Sequence, residues 1–175
     1  DPGVWALNWN RTFVLQPAAE PIGGVLLLHG LTDSPYSLRS FARVLATQGY
    51  RVVGLRLPGH GFAPSGLLTF KAEDLEAATR LAMRDLRASL GAGKPIQMIG
   101  YSNGAALAVS YALDATTDLT LPRPAGLVLI SPALSWLSLV LAAPLVAVLM
   151  ERGWFGWIPA LALGMQSLAD RMVDD

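Results

Sequence analysis

The chain has no cysteine, two histidines and few charges. Without cysteine there are no disulfides and no thiolate metal sites, and redox compartment leaves no trace. With only His29 and His60, a histidine-based metal centre has little to draw on, and no cofactor or metal is expected. Thirteen basic residues balance thirteen acidic ones, so no basic excess points to nucleic acid and no acidic tail to disorder. Charged residues make up 15% of the chain, against about 25% in an average soluble domain. The deficit is local: no charge occurs from Pro124 through Met150. No basic segment followed by an apolar stretch opens the chain, so no signal peptide is read. Asp1 stands where a methionine would begin a primary product, which reads as trimming or a partial chain.

What is present is alternation. Val4 to Leu15, with Trp5, Trp9 and Phe13, reads as one or two edge strands. Gly23-Gly24 leads into Val25-Leu26-Leu27-Leu28, an aliphatic run suited to a strand buried on both faces. Ser34 as N-cap and Pro35 at the first helical position predict a helix ending at Gly49. Arg51 to Leu55 is a strand and Pro58 to Gly61 a loop. A helix is expected from Thr69 to about Leu90, with Glu73, Asp74 and Glu76 early and Arg84 and Arg87 late, as the helix dipole favours. Pro95 to Ile99, Asn103 to Leu113 and Gly126 to Ile130 continue as strand, helix and strand. The order predicts an α/β fold with a mostly parallel sheet and helices on both faces.

Gly100-Tyr101-Ser102-Asn103-Gly104 matches G-x-S-x-G, between an apolar strand and a small-residue helix. In that context the turn is strained, and Gly100 and Gly104 remove side chains that would collide across it. Ser102 is then presented at the carboxyl edge of the sheet, where ligands of open α/β sheets bind. The helix N-terminus beneath it favours negative charge on a substrate oxygen. The bland alternative is a glycine-flanked turn with an incidental serine. Gly91-Ala92-Gly93-Lys94 hints at a phosphate loop, but Ala88 and Pro95 stand where Walker A needs Gly and Ser or Thr. A dehalogenase would need a carboxylate at position 102.

Gly24 through Gly30, Asp33-Ser34-Pro35, Leu57-Pro58-Gly59-His60-Gly61, the serine turn and Ile130-Ser131-Pro132 occur in this order. Together, over residues 22 to 133, they resemble the bacterial carboxylesterase, monoacylglycerol lipase and lysophospholipase branch of the α/β hydrolases, often labelled serine aminopeptidase-like. The resemblance implies Ser102 as nucleophile and the backbone N–H groups of Leu31 and Asn103 as oxyanion hole. His29 and Gly30 would form the oxyanion loop, and His29 and His60 would shape their loops. It implies a small-molecule acyl ester or lipid substrate.

In this fold the triad order is Ser, then Asp or Glu, then His. No histidine follows Ser102. After Ile130 stands Ser131-Pro132-Ala133, without a carboxylate. Asp114, Asp118, Glu151, Asp170, Asp174 and Asp175 have no family position that nominates them, so the acid is unassigned. The simplest expectation is the N-terminal part of the fold, residues 1–131, with the start of a helical cap at 132–175, catalytically incomplete by itself. The alternative is a non-catalytic binding or membrane-associated interaction protein on the same fold.

Ala133 to Met150 is uncharged over 18 residues, near the lower limit for a membrane span, with Pro144 in its interior. A lipophilic cap is the first reading. A membrane segment and aberrant sequence are the others, and Trp154, Phe155 and Trp157 make 133–157 a candidate for membrane-surface contact.

Overall fold

The computed structural model describes residues 8–62, 64–68 and 70–132. The expectations for residues 133–175, the cap and the membrane-contact candidate, lie outside the described residues. So do Val4 to Leu7 of the first expected strand pair.

Among the described residues five strands form one sheet in the order β1-β3-β2-β4-β5. They are β1 (Phe13–Leu15), β2 (Gly23–Leu28), β3 (Tyr50–Leu55), β4 (Ile96–Tyr101) and β5 (Gly126–Ile130). Only β1 runs antiparallel, against β3; the other pairings are parallel. All six residues of β2 are buried, which is why it reads as a continuous apolar run rather than an alternating one.

Three helices cover the two faces. Helix α1 (Arg39–Thr47) packs on the face carrying Phe13, Val25, Leu27, Val52 and Ile99, with Ala42 pressed into it. Helices α2 (Ala72–Leu90) and α3 (Asn103–Thr117) cover the face carrying Leu26, Leu28 and Met98, through Met83, Leu86 and Tyr111. This is the mostly parallel α/β sheet, layered on both sides, that the alternation predicts.

Strand ends shift by one or two residues from expectation, and each helix differs at one boundary. The helix expected from Pro35 begins as a 3-10 turn, Pro35–Leu38, and becomes α-helical only at Arg39. Ser34 has extended N-cap dihedrals but makes no cap bond; its hydroxyl donates to Asn10 Oδ1 at 2.8 Å. A tertiary partner 24 residues away thus outcompetes the local one. The second helix begins at Ala72, after a separate 3-10 turn at Pro64–Leu68. There the Asp74 carboxylate accepts the Lys71 N–H at 2.9 Å, satisfying a donor that the helix cannot. Helix α3 runs on to Thr117, past the expected Leu113.

Candidate active site

The parallel register brings three strand ends together. Leu28 pairs with Leu55 and with Gly100, and Tyr101 pairs with Ile130. The loops after β2, β3 and β4 therefore leave from one edge of the sheet.

Ser102 sits between β4 and α3 at φ 52°, ψ −115°. A serine at positive φ is strained by roughly 1–3 kcal/mol and persists only where its surroundings hold it. Here the Ser102 N–H donates to Ile130 O at 2.9 Å, and its carbonyl accepts from Ala105 N–H at 3.0 Å. The two flanking glycines explain why the turn closes. A Cβ on Gly104 would lie 2.2 Å from Leu28 O, and one on Gly100 would lie 2.3 Å from Gly104 O. Both obstacles are backbone, so helix α3 reaches the end of β2 only without those side chains.

The loop after β2 lies against the same turn. A Cβ on Gly30 would be 3.5 Å from Ser102 Cβ. Neither the Leu31 nor the Asn103 N–H donates to any acceptor among the described residues. Asn103 directly follows Ser102, and Leu31 directly follows Gly30, whose loop packs against the serine turn. The structure thus brings Gly30 against Ser102 and sets Asn103 at the first position of helix α3.

His29 is fully buried. Its Nδ1 lies 2.8 Å from Gly30 O, and Leu57 N–H donates to its Nε2 at 3.1 Å. A carbonyl can only accept and an N–H can only donate, so the ring is neutral with its proton on Nδ1. Burial, the largest cause, holds its pKa below the usual histidine value, reinforced by the neighbouring His60; the Gly30 carbonyl opposes this. His60 donates from Nδ1 to Pro58 O at 2.7 Å. Its ring centroid stands 5.0 Å from that of His29 and 5.2 Å from that of Phe70. Each histidine fastens its own loop, and His29 ties the loop after β2 to the loop after β3.

A cavity of about 460 Å³ opens beside these loops, lined in part by Asn10, Leu31, Asp33, Ser34, His60 and Phe62. Sequence reading missed Asn10. Its side chain accepts from Ser34 and donates to Gly61 O at 3.4 Å, joining the first loop to both others. No local signal marks it, because its partners are 24 and 51 residues away.

Neither Asp114 nor Asp118 belongs to the site. Asp114 holds Arg80 at 2.6 Å. Asp118 accepts from the Thr120 hydroxyl at 2.7 Å and its N–H at 2.9 Å, which keep its carboxyl below the usual range. Among the described residues no group of three His, Asp or Glu side chains could hold a metal ion.

The solved structure of one of two metagenome-derived lipolytic enzymes, LipS and LipT, superimposes with a TM-score of 0.62. It is 34% identical and matches over 77% of this chain and 50% of its own. The monoacylglycerol lipase of Paleococcus ferrophilus matches with a TM-score of 0.57 at 23% identity, over 77% of this chain and 49% of its own, a likeness of fold. A thermostable monoacylglycerol lipase from Bacillus sp. is 53% identical over 38 residues, which is 22% of this chain and 15% of that protein. The chain spans about half the length of these solved structures. The model of the alpha/beta hydrolase fold family matches residues 24–166, and with the sheet order and the serine turn this identifies the chain as a member of that family.

Proposed function

We propose that the protein is a serine hydrolase of carboxylic esters, with lipid-like acyl esters as its substrate class. The observation that carries this reading is Ser102 at φ 52° in the strand-turn-helix, with the loop of Gly30 packed against it. In this reading Ser102 Oγ attacks the ester carbonyl and forms an acyl-enzyme with release of the alcohol. Water then attacks the acyl-enzyme, and the carboxylic acid leaves. The Leu31 and Asn103 N–H groups hold the oxyanion in both steps, at roughly 3–4 kcal/mol each. The lipolytic relatives support esters over peptides.

Neither histidine serves as the base. Both are committed to loop carbonyls, and His29 is held neutral with Nε2 already accepting from Leu57. No histidine follows Ser102 in residues 1–175 and the acid is unassigned, so these 175 residues alone are expected to turn over esters very slowly. A fluorophosphonate probe tests the reading on the full-length protein. Labelling is expected at Ser102 and is lost in Ser102→Ala. A folded protein that takes no label would refute it and leave the non-catalytic binding reading. Rapid turnover by the 175 residues, lost in Ser102→Ala, would refute the assignment of the base.

A further inference from the structure

The formal neutrality of the chain hides a division. Residues 8–62 carry five cations, all arginine (Arg11, Arg39, Arg43, Arg51 and Arg56), and two carboxylates, Glu20 and Asp33, for a net of 5 − 2 = +3. Residues 64–132 carry six basic residues and six acidic ones, a net of zero. In that second part Arg80 pairs with Glu76 and Asp114, and Lys94 pairs with Glu20. Among the described residues none of the five arginines of residues 8–62 makes an ion pair.

Two of these arginines lie against aromatic rings instead, of which Trp9 and Phe62 are exposed and Phe13 is buried. The Arg39 guanidinium is 5.0 Å from the Trp9 ring and 5.1 Å from that of Phe13. The Arg56 guanidinium is 4.2 Å from the ring of Phe62. Trp9 also meets Tyr36 edge-on at 6.4 Å. Trp9, Tyr36 and Phe62 are 48%, 56% and 69% exposed. The patch is continuous, because Asn10, next to Trp9, is tied both to Ser34 and to Gly61. It reaches the cavity at Asn10 and Phe62, where Leu31 adds an exposed aliphatic side chain.

We infer that this patch is a docking surface for an anionic lipid bilayer. Amphipathic aromatic rings settle at the headgroup level, and unpaired guanidinium groups bind lipid phosphates through paired N–H donors. Arginine is more weakly hydrated than lysine, so moving it against phosphate costs less. A protein partner with an acidic face would satisfy the charge but leave this row of separated aromatic tips without a fitted pocket. The surface is distinct from residues 133–157 and does not depend on the ester chemistry.

Co-sedimentation of the full chain with vesicles tests it. The chain is expected to bind mixed phosphatidylglycerol–phosphatidylcholine vesicles, to release in high salt, and to leave pure phosphatidylcholine vesicles largely unbound. Arg39→Gln with Arg56→Gln should weaken binding about 30-fold, at roughly fivefold for each cation near the surface. Arg39→Lys with Arg56→Lys should restore most of it. Arg80→Gln with Arg84→Gln, the same charge loss on the balanced part, should leave binding unchanged. Where the Gln pair fails to fold, Trp9→Ala with Phe62→Ala, which removes two exposed rings of the same patch, should weaken binding to the anionic vesicles instead. No binding to anionic vesicles, equal binding to neutral ones, or binding that ignores these arginines and follows 133–157 would overturn the inference.

Discussion

The serine turn and the two histidine loops meet at one edge of the sheet, yet they are held by different forces. The serine turn is held by backbone against backbone. Gly104 and Gly100 allow contacts that a Cβ would bring to 2.2 and 2.3 Å, and no titratable group takes part. The histidine loops are held by side chains. One neutral imidazole accepts from Leu57 and donates to Gly30, and the second fastens Pro58. A steric clamp is indifferent to pH but intolerant of any added atom. A hydrogen-bonded clamp tolerates some change of shape but fails when its ring must take up a proton. The difference places the pH sensitivity of the site in the loop after β2 and its tolerance limit in the serine turn.

Gly104→Ala is the strongest way to break this contrast. Its methyl has no space before Leu28 O, so α3 must lift from the sheet. The loss should be at least about 3 kcal/mol, at the upper end for overpacking, read as a lower urea midpoint or failure to fold. An unchanged midpoint would show that the turn is looser than its contacts imply.

His29→Ala comes next. It leaves the Leu57 N–H and the Gly30 carbonyl without their partner in a buried site and opens a cavity. The cost should be roughly 2–4 kcal/mol by denaturant unfolding. The same residue sharpens the comparison through pH. Its folded pKa lies below its unfolded value near 6.5. As pH falls through 6.5 the unfolded chain takes up a proton at His29 while the folded chain does not. Stability from this group is therefore complete above about pH 6.5 and declines as pH drops toward the folded pKa. His29→Gln, which can still accept from Leu57, should flatten the urea midpoint against pH in that window. An unaltered profile would assign the pH dependence elsewhere.

Ser102→Gly should have the smallest effect, and of opposite sign. At φ 52° glycine relieves strain, so the protein should gain about 1 kcal/mol while losing its reactive hydroxyl. A gain in thermal midpoint with loss of fluorophosphonate labelling is the expected pair of readouts. A loss of stability would mean that the Ser102 side chain contributes packing that its backbone strain conceals.

Much of this was legible in the chain itself, because it was local. The aliphatic run Val25–Leu28 declared a doubly buried strand. The glycines at 100 and 104 declared a turn with no space for side chains. The alternation of strands and helices then left few topologies open, since parallel connections are right-handed. What local pattern could not give was any partner chosen at a distance. Ser34 has the composition of a helix cap, but Asn10 takes its hydroxyl. Two histidines in loop motifs do not reveal which nitrogen carries the proton until Leu57 and Gly30 are set beside His29. A sequence with equal numbers of acids and bases does not reveal that Arg39 and Arg56 lie against aromatic rings while Arg80 pairs with carboxylates. The sequence determined the order of elements, the strained serine turn and the family. Tertiary structure decided which polar groups satisfy one another, because a hydrogen bond or ion pair depends on where the folded backbone brings two residues, not on their separation along the chain.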